Sequence, residues 1–123
     1  MPPLITLFVP CYNEAGNIEG TFDVIAEACS QTGISYEVIV TDDASKDGTP
    51  EIIRRYMNAH PDMPITLHVN EKNRGLGANF GEAAFMGRGE FYRLVCGDNC
   101  EPAETLIKVF NNIGKAEIGR AHV

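Results

Sequence analysis

The stretch YEVIVTDD at residues 36–43 decides the fold class, because a β-branched apolar run ends in two adjacent acids. Similar short apolar runs occupy residues 4–9, 65–69 and 91–95. Each run is followed by a polar or glycine-rich turn and then by apolar residues at helical spacing. The chain therefore alternates strand and helix, which predicts an α/β fold.

The strands are near-continuous apolar runs, which is typical of a sheet covered on both faces. We predict a three-layer α/β/α, Rossmann-like domain over residues 1–123 with a mostly parallel sheet. Gly33 is expected to end the first helix, Thr49 to cap the second, and His60-Pro61 to stop it. Residues 115–123 resemble the approach to a fifth strand, so the domain looks truncated.

Composition and charge exclude several classes of protein. The 123 residues carry 17 acidic and 10 basic side chains, a net charge of −7, which disfavours binding to nucleic acid. We expect no membrane-spanning segment, no signal peptide and a cytoplasmic location. The four cysteines do not form a disulfide scaffold at this size, and a zinc site is not expected.

The candidate site lies where the strands end. Ligands of open α/β sheets bind beyond the carboxyl ends of the strands, and the four turns there span residues 10–14, 42–49, 70–77 and 96–99. An acidic residue stands at three of these four ends, namely Glu14, Asp43 and Asp98. Such carboxylates can hold a divalent cation and accept hydrogen bonds from the N–H groups of a ligand.

Each turn also has a structural interpretation. Residues 13–17 are compatible with a turn and helix cap, and Asp47 and Thr49 are assigned mainly to structure. Asp42 and Asp43 repel each other, so we expect local amides to hold one and leave the other free for a ligand. Arg74 is either a phosphate partner or a solvated surface cation.

The motifs resemble a known family. VPCYNE at 9–14, DDAS at 42–45 with DGT at 47–49, and NRGLG at 73–77 are similar to the nucleotide-binding half of family 2 glycosyltransferases. The similarity is greatest to the dolichol- or polyprenyl-phosphate sugar synthase branch, and it covers residues 4–114. It implies the GT-A fold and binding of a nucleoside-diphosphate sugar.

The resemblance also implies roles for individual residues. Three of them would line the base and ribose: Pro10, Tyr12 and Glu14. Asp43, helped by Thr41 and Asp42, would accept a hydrogen bond from a ring N–H of uracil or guanine.

The metal motif departs from the family pattern. The family's Asp-x-Asp falls on Cys96-Gly97-Asp98, so a cysteine replaces the first aspartate. A thiolate is a poor ligand for Mg²⁺ or Mn²⁺, yet one carboxylate with substrate phosphates and water is a common way to hold Mg²⁺. Asp98 is therefore the predicted ligand of a Mg²⁺ or Mn²⁺ ion, with weakened metal dependence.

The predicted function is transfer of a sugar from a UDP- or GDP-linked donor to a lipid-phosphate or saccharide acceptor. The chain would supply the donor site, but no catalytic base is identified, so we expect it to be the catalytically incomplete N-terminal part of a longer enzyme. If the full protein continues, the expected location is the cytoplasmic face of a membrane. A non-catalytic nucleotide-binding or assembly module, and a nucleotidyltransferase of related fold, remain alternatives. A receiver-type signalling domain would also carry an acidic pair, but it needs a lysine at the end of a later strand, and this sequence shows none there. An exposed sheet edge would favour a homo-oligomer.

Overall fold

The computed structural model describes residues 2–120, with side chains described through residue 113. Strands and helices alternate strictly, as the sequence predicts. The strands are β1 (Ile5–Cys11), β2 (Tyr36–Asp42), β3 (Ile65–Val69) and β4 (Phe91–Leu94). The helices are α1 (Ile18–Thr32), α2 (Thr49–Ala59), α3 (Leu76–Met86) and α4 (Ala103–Arg120).

The four strands form one parallel sheet in the order β3-β2-β1-β4. The register pairs Cys11 with Asp42 and Asp42 with Val69, so the first three strands end level with one another. After β3 the chain returns to the other side of β1. The order therefore reverses between β1 and β4, and this switch point is where open α/β sheets form a ligand crevice.

The larger core lies on one face of the sheet. Alternate residues of β1, from Ile5 to Cys11, point to this face and pack against α1, α2 and α4. Phe22 of α1 is fully buried there, and its ring lies 4.9 Å from that of Tyr56 in α2. Burial of this apolar surface is the main stabilising contribution to the fold.

The other face carries a smaller core under α3. Phe8 and Ile39 from the sheet pack against Ala83, and the rings of Phe80 and Tyr92 lie 5.9 and 6.2 Å from that of Phe8. Phe85 at the end of α3 points away from this core and is 92% exposed. Helices therefore cover both faces, which confirms the three-layer prediction, but unequally.

Two local predictions need correction. Thr49 is the first residue of α2 and not its cap, because its hydroxyl accepts a hydrogen bond from Glu14 N in another loop (3.0 Å). Residues 115–120 continue α4 and do not approach a fifth strand, since the helix that Ala103 begins runs to Arg120. The predicted end of α1 is confirmed, with Gly33 in the left-handed conformation at φ 68°. Residues 121–123 lie outside the described residues.

Within residues 2–120, no helix has the length and apolar character needed to span a bilayer.

Candidate functional site

A cavity of about 360 Å³ lies at the carboxyl ends of the strands. All four strand-to-helix turns contribute to its walls. The lining residues are Pro10, Cys11, Tyr12, Glu14, Asp43, Asn73, Gly75, Leu76, Asn79, Cys96, Gly97 and Asp98. Its volume is within the range of small-molecule sites, and it covers the switch point between β1 and β4.

The turn after β1 forms the first wall and is tied to the turn after β2. Asn13, at φ 55°, donates from its backbone N to Ser45 Oγ (2.8 Å) and accepts a bond from Lys46 N at its side chain (2.8 Å). Asp47 accepts from Ala15 N (3.2 Å). These bonds hold the turn in which Tyr12, 45% exposed, lines the cavity. The structural role predicted for Asp47 agrees with its contacts.

Asp42 is the structural member of the acidic pair. Its carboxylate is fully buried and accepts bonds from Ser45 N (3.0 Å) and Ser45 Oγ (2.6 Å). The Cys11 thiol also donates to it, with Sγ and Oδ1 3.7 Å apart. Burial first, and then the neighbouring Asp42 charge, raise the pKa of the Cys11 thiol. Asp42 therefore joins β1 to β2 and does not line the cavity.

Asp43 lines the cavity but is not free. Its Oδ1 accepts bonds from Arg74 N (2.8 Å) and Asn70 Nδ2 (3.0 Å), and its Oδ2 accepts one from Gly75 N (3.0 Å). The side chain is only 8% exposed. Burial raises the pKa of this carboxyl, but the donated hydrogen bonds outweigh burial and lower the pKa to about 2. Asp43 is therefore a fixed anion at neutral pH, and its small exposed surface lines the cavity.

Gly75 makes this arrangement possible. Its backbone has φ 89° and ψ 157°, a conformation that residues with a Cβ rarely adopt. The turn brings its N–H onto Asp43 and starts α3, where Asn79 N donates to Gly75 O (3.2 Å). The buried Asn79 side chain accepts from Asn70 Nδ2 (2.9 Å). The third turn is thus built around the Asp43 carboxylate.

The turn after β4 closes the cavity at the switch point. Gly97 N donates to Pro10 O (3.1 Å), and a Cβ on Gly97 would lie 3.0 Å from that oxygen. This close approach places the next residue, Asp98, at the cavity wall, where its Oδ1 accepts from Cys100 N (3.1 Å). Asp98 and Cys96 also line a second cavity of about 340 Å³ beyond the turn.

The charged side chains that line the cavity in the described part of the chain are all acidic. Glu14, Asp43 and Asp98 line the cavity, and no lysine or arginine does so in the described part of the chain. Arg74 is flanked by two lining residues, but its guanidinium pairs with Glu82 of α3. An anionic ligand therefore needs a compensating cation, either a metal ion or a rearranged Arg74.

The donor set suits a cation held jointly with a ligand. Among the described residues, no three histidine, cysteine or acidic side chains form a cluster able to hold a metal. Burial, followed by the Asp98 charge, raises the pKa of the Cys96 thiol, so this residue stays protonated at neutral pH. Asp98 supplies one carboxylate, and a Mg²⁺ or Mn²⁺ ion there would take its other ligands from substrate phosphates and water.

The structure gathers most of the predicted site residues but not all. Those that line the cavity are Pro10, Tyr12, Glu14, Asp43, Cys96, Gly97 and Asp98. Thr41 and Asp42 are buried below it, and the Arg74 side chain turns outward, so their predicted ligand contacts stay predictions. Sequence reasoning missed Asn79, because helical spacing placed it inside α3 and beyond the third turn. Four other lining residues lie in the predicted turns but were given no ligand contact: Cys11, Asn73, Gly75 and Leu76.

A four-stranded parallel sheet with a crevice at its switch point is the arrangement in which open α/β domains bind ligands. The sequence profile of "Glycosyl transferase family 2" matches residues 6–117, which is most of the chain. The chain belongs to this family.

Two curated relatives have related sequences and are longer. A dolichyl-phosphate beta-glucosyltransferase of Trichomonas vaginalis is 33% identical over 96% of this chain. A protein of the same name from Dictyostelium discoideum is 28% identical over 89% of this chain. The chain matches only 39% and 34% of the lengths of these two relatives.

Solved structures show the same fold. A mannosyltransferase from Pyrobaculum calidifontis, in complex with GDP-Man and Mn²⁺, superposes with a TM-score of 0.71 and 37% identity. That match covers 80% of this chain and 28% of the other. Staphylococcus aureus TarS in complex with UDP-GlcNAc gives a TM-score of 0.73 and 27% identity, covering 94% and 32%. The chain therefore has the GT-A fold.

Proposed function

We propose that this chain forms the donor site of a glycosyltransferase that transfers a hexose from a nucleoside-diphosphate sugar. The cavity carries the proposal, because it brings the ends of all four strands to one place. Tyr12 offers a ring for stacking on the base, and Asp43 offers a fixed carboxylate to a ring N–H. The family relationship and the neighbour bound to GDP-Man support the same function.

Asp98 is the proposed ligand of a divalent cation, Mg²⁺ or Mn²⁺. It lines the same cavity as Asp43, on the turn that follows the switch-point strand β4. The neighbour solved with Mn²⁺ supports a divalent ion in this family. Such an ion would offset the negative charge that develops on the leaving diphosphate. The acidic wall of this cavity would otherwise repel that charge.

The proposed acceptor is a lipid phosphate. Two relatives carry dolichyl-phosphate in their names, and an acceptor that is already ionised needs less help from a general base. No histidine in the described part of the chain lines the cavity, so among the lining residues only the carboxylates of Glu14, Asp43 and Asp98 could accept a proton. We expect the reaction to occur at the cytoplasmic side of a membrane.

Nucleotide titration tests the donor site. UDP or GDP should raise the unfolding temperature of the chain, and Mn²⁺ should increase that shift, because a ligand that binds only the folded state stabilises it. Asp98→Ala should remove the Mn²⁺ effect and keep the nucleotide effect that depends on Asp43 and Tyr12.

Asp62→Ala is the matched control, because Asp62 is an exposed acid in the loop before β3, away from the cavity. It should leave both effects unchanged. Absence of any shift with saturating UDP and GDP, with or without Mn²⁺, would contradict the proposal. An Mn²⁺ effect that survives Asp98→Ala would place the ion on other residues.

A further inference from the structure

Helix α3 has an outward face without charge. Between Arg74 and Arg88 the only charged residue is Glu82, and the Arg74 guanidinium pairs with its carboxylate. Asn79 and Ala83 are buried where α3 packs on β1 and β2. At about 100° per residue, Glu82 falls beside this buried side, and an arc of about 200° carries only apolar residues and glycine. This apolar face consists of Leu76, Gly77, Ala78, Phe80, Gly81, Ala84 and Phe85, all of them exposed.

Large apolar side chains concentrate on the apolar face. Among the described residues, five large hydrophobic side chains are exposed, and three of them are Leu76, Phe80 and Phe85. Helices α1 and α2 instead present charged residues to solvent, such as Glu27 and Arg54. A surface helix normally carries charged and polar side chains on the side away from the core. The apolar face of α3 therefore has the composition of a surface that another body covers.

The position of the apolar face relative to the cavity indicates which body covers it. Leu76 belongs to this face and also lines the cavity, together with the exposed ring of Tyr12. The face therefore reaches the rim of the cavity. The proposed acceptor is a lipid phosphate, whose phosphate must enter the cavity while its hydrocarbon chain stays in the bilayer. The surface beside the cavity is thus the part of the molecule that must meet the membrane.

The distribution of charge fits a membrane at this place. The whole chain carries a net charge of −7, which an anionic bilayer surface repels. The segment 71–90 around α3 is neutral, because its three acidic and three basic side chains cancel. Its bases are Lys72, Arg74 and Arg88, which stand just outside the two ends of the helix. Side chains of this kind can lie along an apolar surface and keep their charges among lipid headgroups.

We propose that the apolar face of α3 docks on a lipid bilayer, with Phe85 inserted between the headgroups and the acyl chains. This inference rests on the proposed lipid-phosphate acceptor and adds the surface by which the cavity reaches it. Gly77, Gly81 and Ala84 have little or no side chain, so the helix can lie close to the lipid. Burial of one phenylalanine side chain strengthens binding about tenfold or more.

Tryptophan fluorescence tests the contact directly, because the chain contains no tryptophan. Phe85→Trp places a single indole on the apolar face, and its emission should shift to shorter wavelength when phosphatidylcholine vesicles are added. Asn58→Trp is the matched control, because Asn58 is exposed on α2, which packs on the opposite face of the sheet. Its emission should not shift. About 1 mM lipid suffices, since a single apolar anchor binds with about 10⁴ M⁻¹.

A charge on the apolar face should weaken binding to the vesicles. Phe85→Glu should lower the vesicle binding constant about tenfold or more, as measured by flotation. Asn58→Glu adds the same charge on the other side of the molecule and should keep the binding constant of the parent chain. Neither residue lines the cavity, so UDP or GDP should raise the unfolding temperature equally in both variants and in the parent.

The outcomes separate this inference from the proposed function. No emission shift in Phe85→Trp and no vesicle binding by the parent chain, with nucleotide binding intact, would overturn the membrane contact and leave the donor site standing. Vesicle binding without any nucleotide binding would refute the donor site alone. Equal losses in Phe85→Glu and Asn58→Glu would assign the effect to total charge and count against the apolar face. A parent chain that sediments as a dimer, with Phe85→Glu monomeric, would overturn the inference, because a second copy would then cover the face.

Discussion

The Asp43 carboxylate stabilises the folded chain, because the N–H groups of Arg74, Gly75 and Asn70 donate to it. Its pKa in the folded chain is about 2, below the usual value of 3.8. A lowered pKa means that the stabilisation is complete above about pH 4 and is lost as the pH falls toward 2. The shift corresponds to about 2 kcal/mol at neutral pH.

We therefore predict that Asp43→Asn lowers the free energy of unfolding by about 2 kcal/mol at pH 7. The difference between variant and parent should shrink by about half near pH 3, where Asp43 itself begins to take up a proton. Urea unfolding at several pH values measures both quantities. Asp62→Asn, at an exposed acid, should change neither. A pH-independent loss in Asp43→Asn would show that packing, and not charge, is responsible.

At the scale of elements, α3 depends on the conformation of the glycine before it. Gly75 has φ 89°, which favours glycine, whereas Gly81 lies inside α3 with nothing within 4 Å of a built Cβ. The two positions therefore respond oppositely to the same added methyl group. The glycine at position 75 is required by the turn that contacts Asp43, whereas the glycine at position 81 only weakens helix α3.

We predict that Gly75→Ala destabilises the chain by about 1–3 kcal/mol and weakens UDP binding, because the strained turn moves its N–H away from Asp43. Gly81→Ala should stabilise the chain by about 0.5–1 kcal/mol and leave UDP binding unchanged. Thermal unfolding and nucleotide titration of the two variants form a matched comparison. Equal effects of the two substitutions would contradict the role assigned to the turn.

At the scale of the whole molecule, the two faces of the sheet contribute unequally to stability. Helices α1, α2 and α4 bury one face, and α3 alone covers the other. Phe22 is fully buried in the larger core, and Phe85 projects from the thinner layer with 92% of its surface exposed. A phenylalanine therefore contributes much more to the free energy of unfolding in the larger core than at the exposed surface of α3.

Phe22→Ala should lower the free energy of unfolding by about 3–5 kcal/mol, because it removes a buried ring and leaves a cavity beside Tyr56. Phe85→Ala should change it by less than about 0.5 kcal/mol. Denaturant unfolding of both variants checks the comparison. A large loss in Phe85→Ala would mean that the side chain is covered in solution.

The sequence alone determined the order of elements, the layer architecture and the general position of the site. Apolar runs and helical spacing are local signals, and parallel strands bring their carboxyl ends to one edge whatever the details of the turns. For this reason Tyr12, Asp43 and Asp98 were predicted from one short motif each, and they do share a cavity. Thr49 misled the prediction because a hydroxyl before a helix indicates a cap, yet here it bonds to Glu14.

Only the tertiary structure decided how the two acids of residues 42 and 43 divide their roles. Adjacent carboxylates look equivalent in a sequence, but Asp42 bonds to Ser45 of its own turn, whereas Asp43 bonds to Asn70 and Gly75 of the turn after β3. Strand pleating sends Asp42 into the sheet and Asp43 toward the crevice. Hydrogen bonds from the turn after β3 then fix the Asp43 carboxylate at the cavity, and no local pattern encodes these contacts between residues some thirty positions apart.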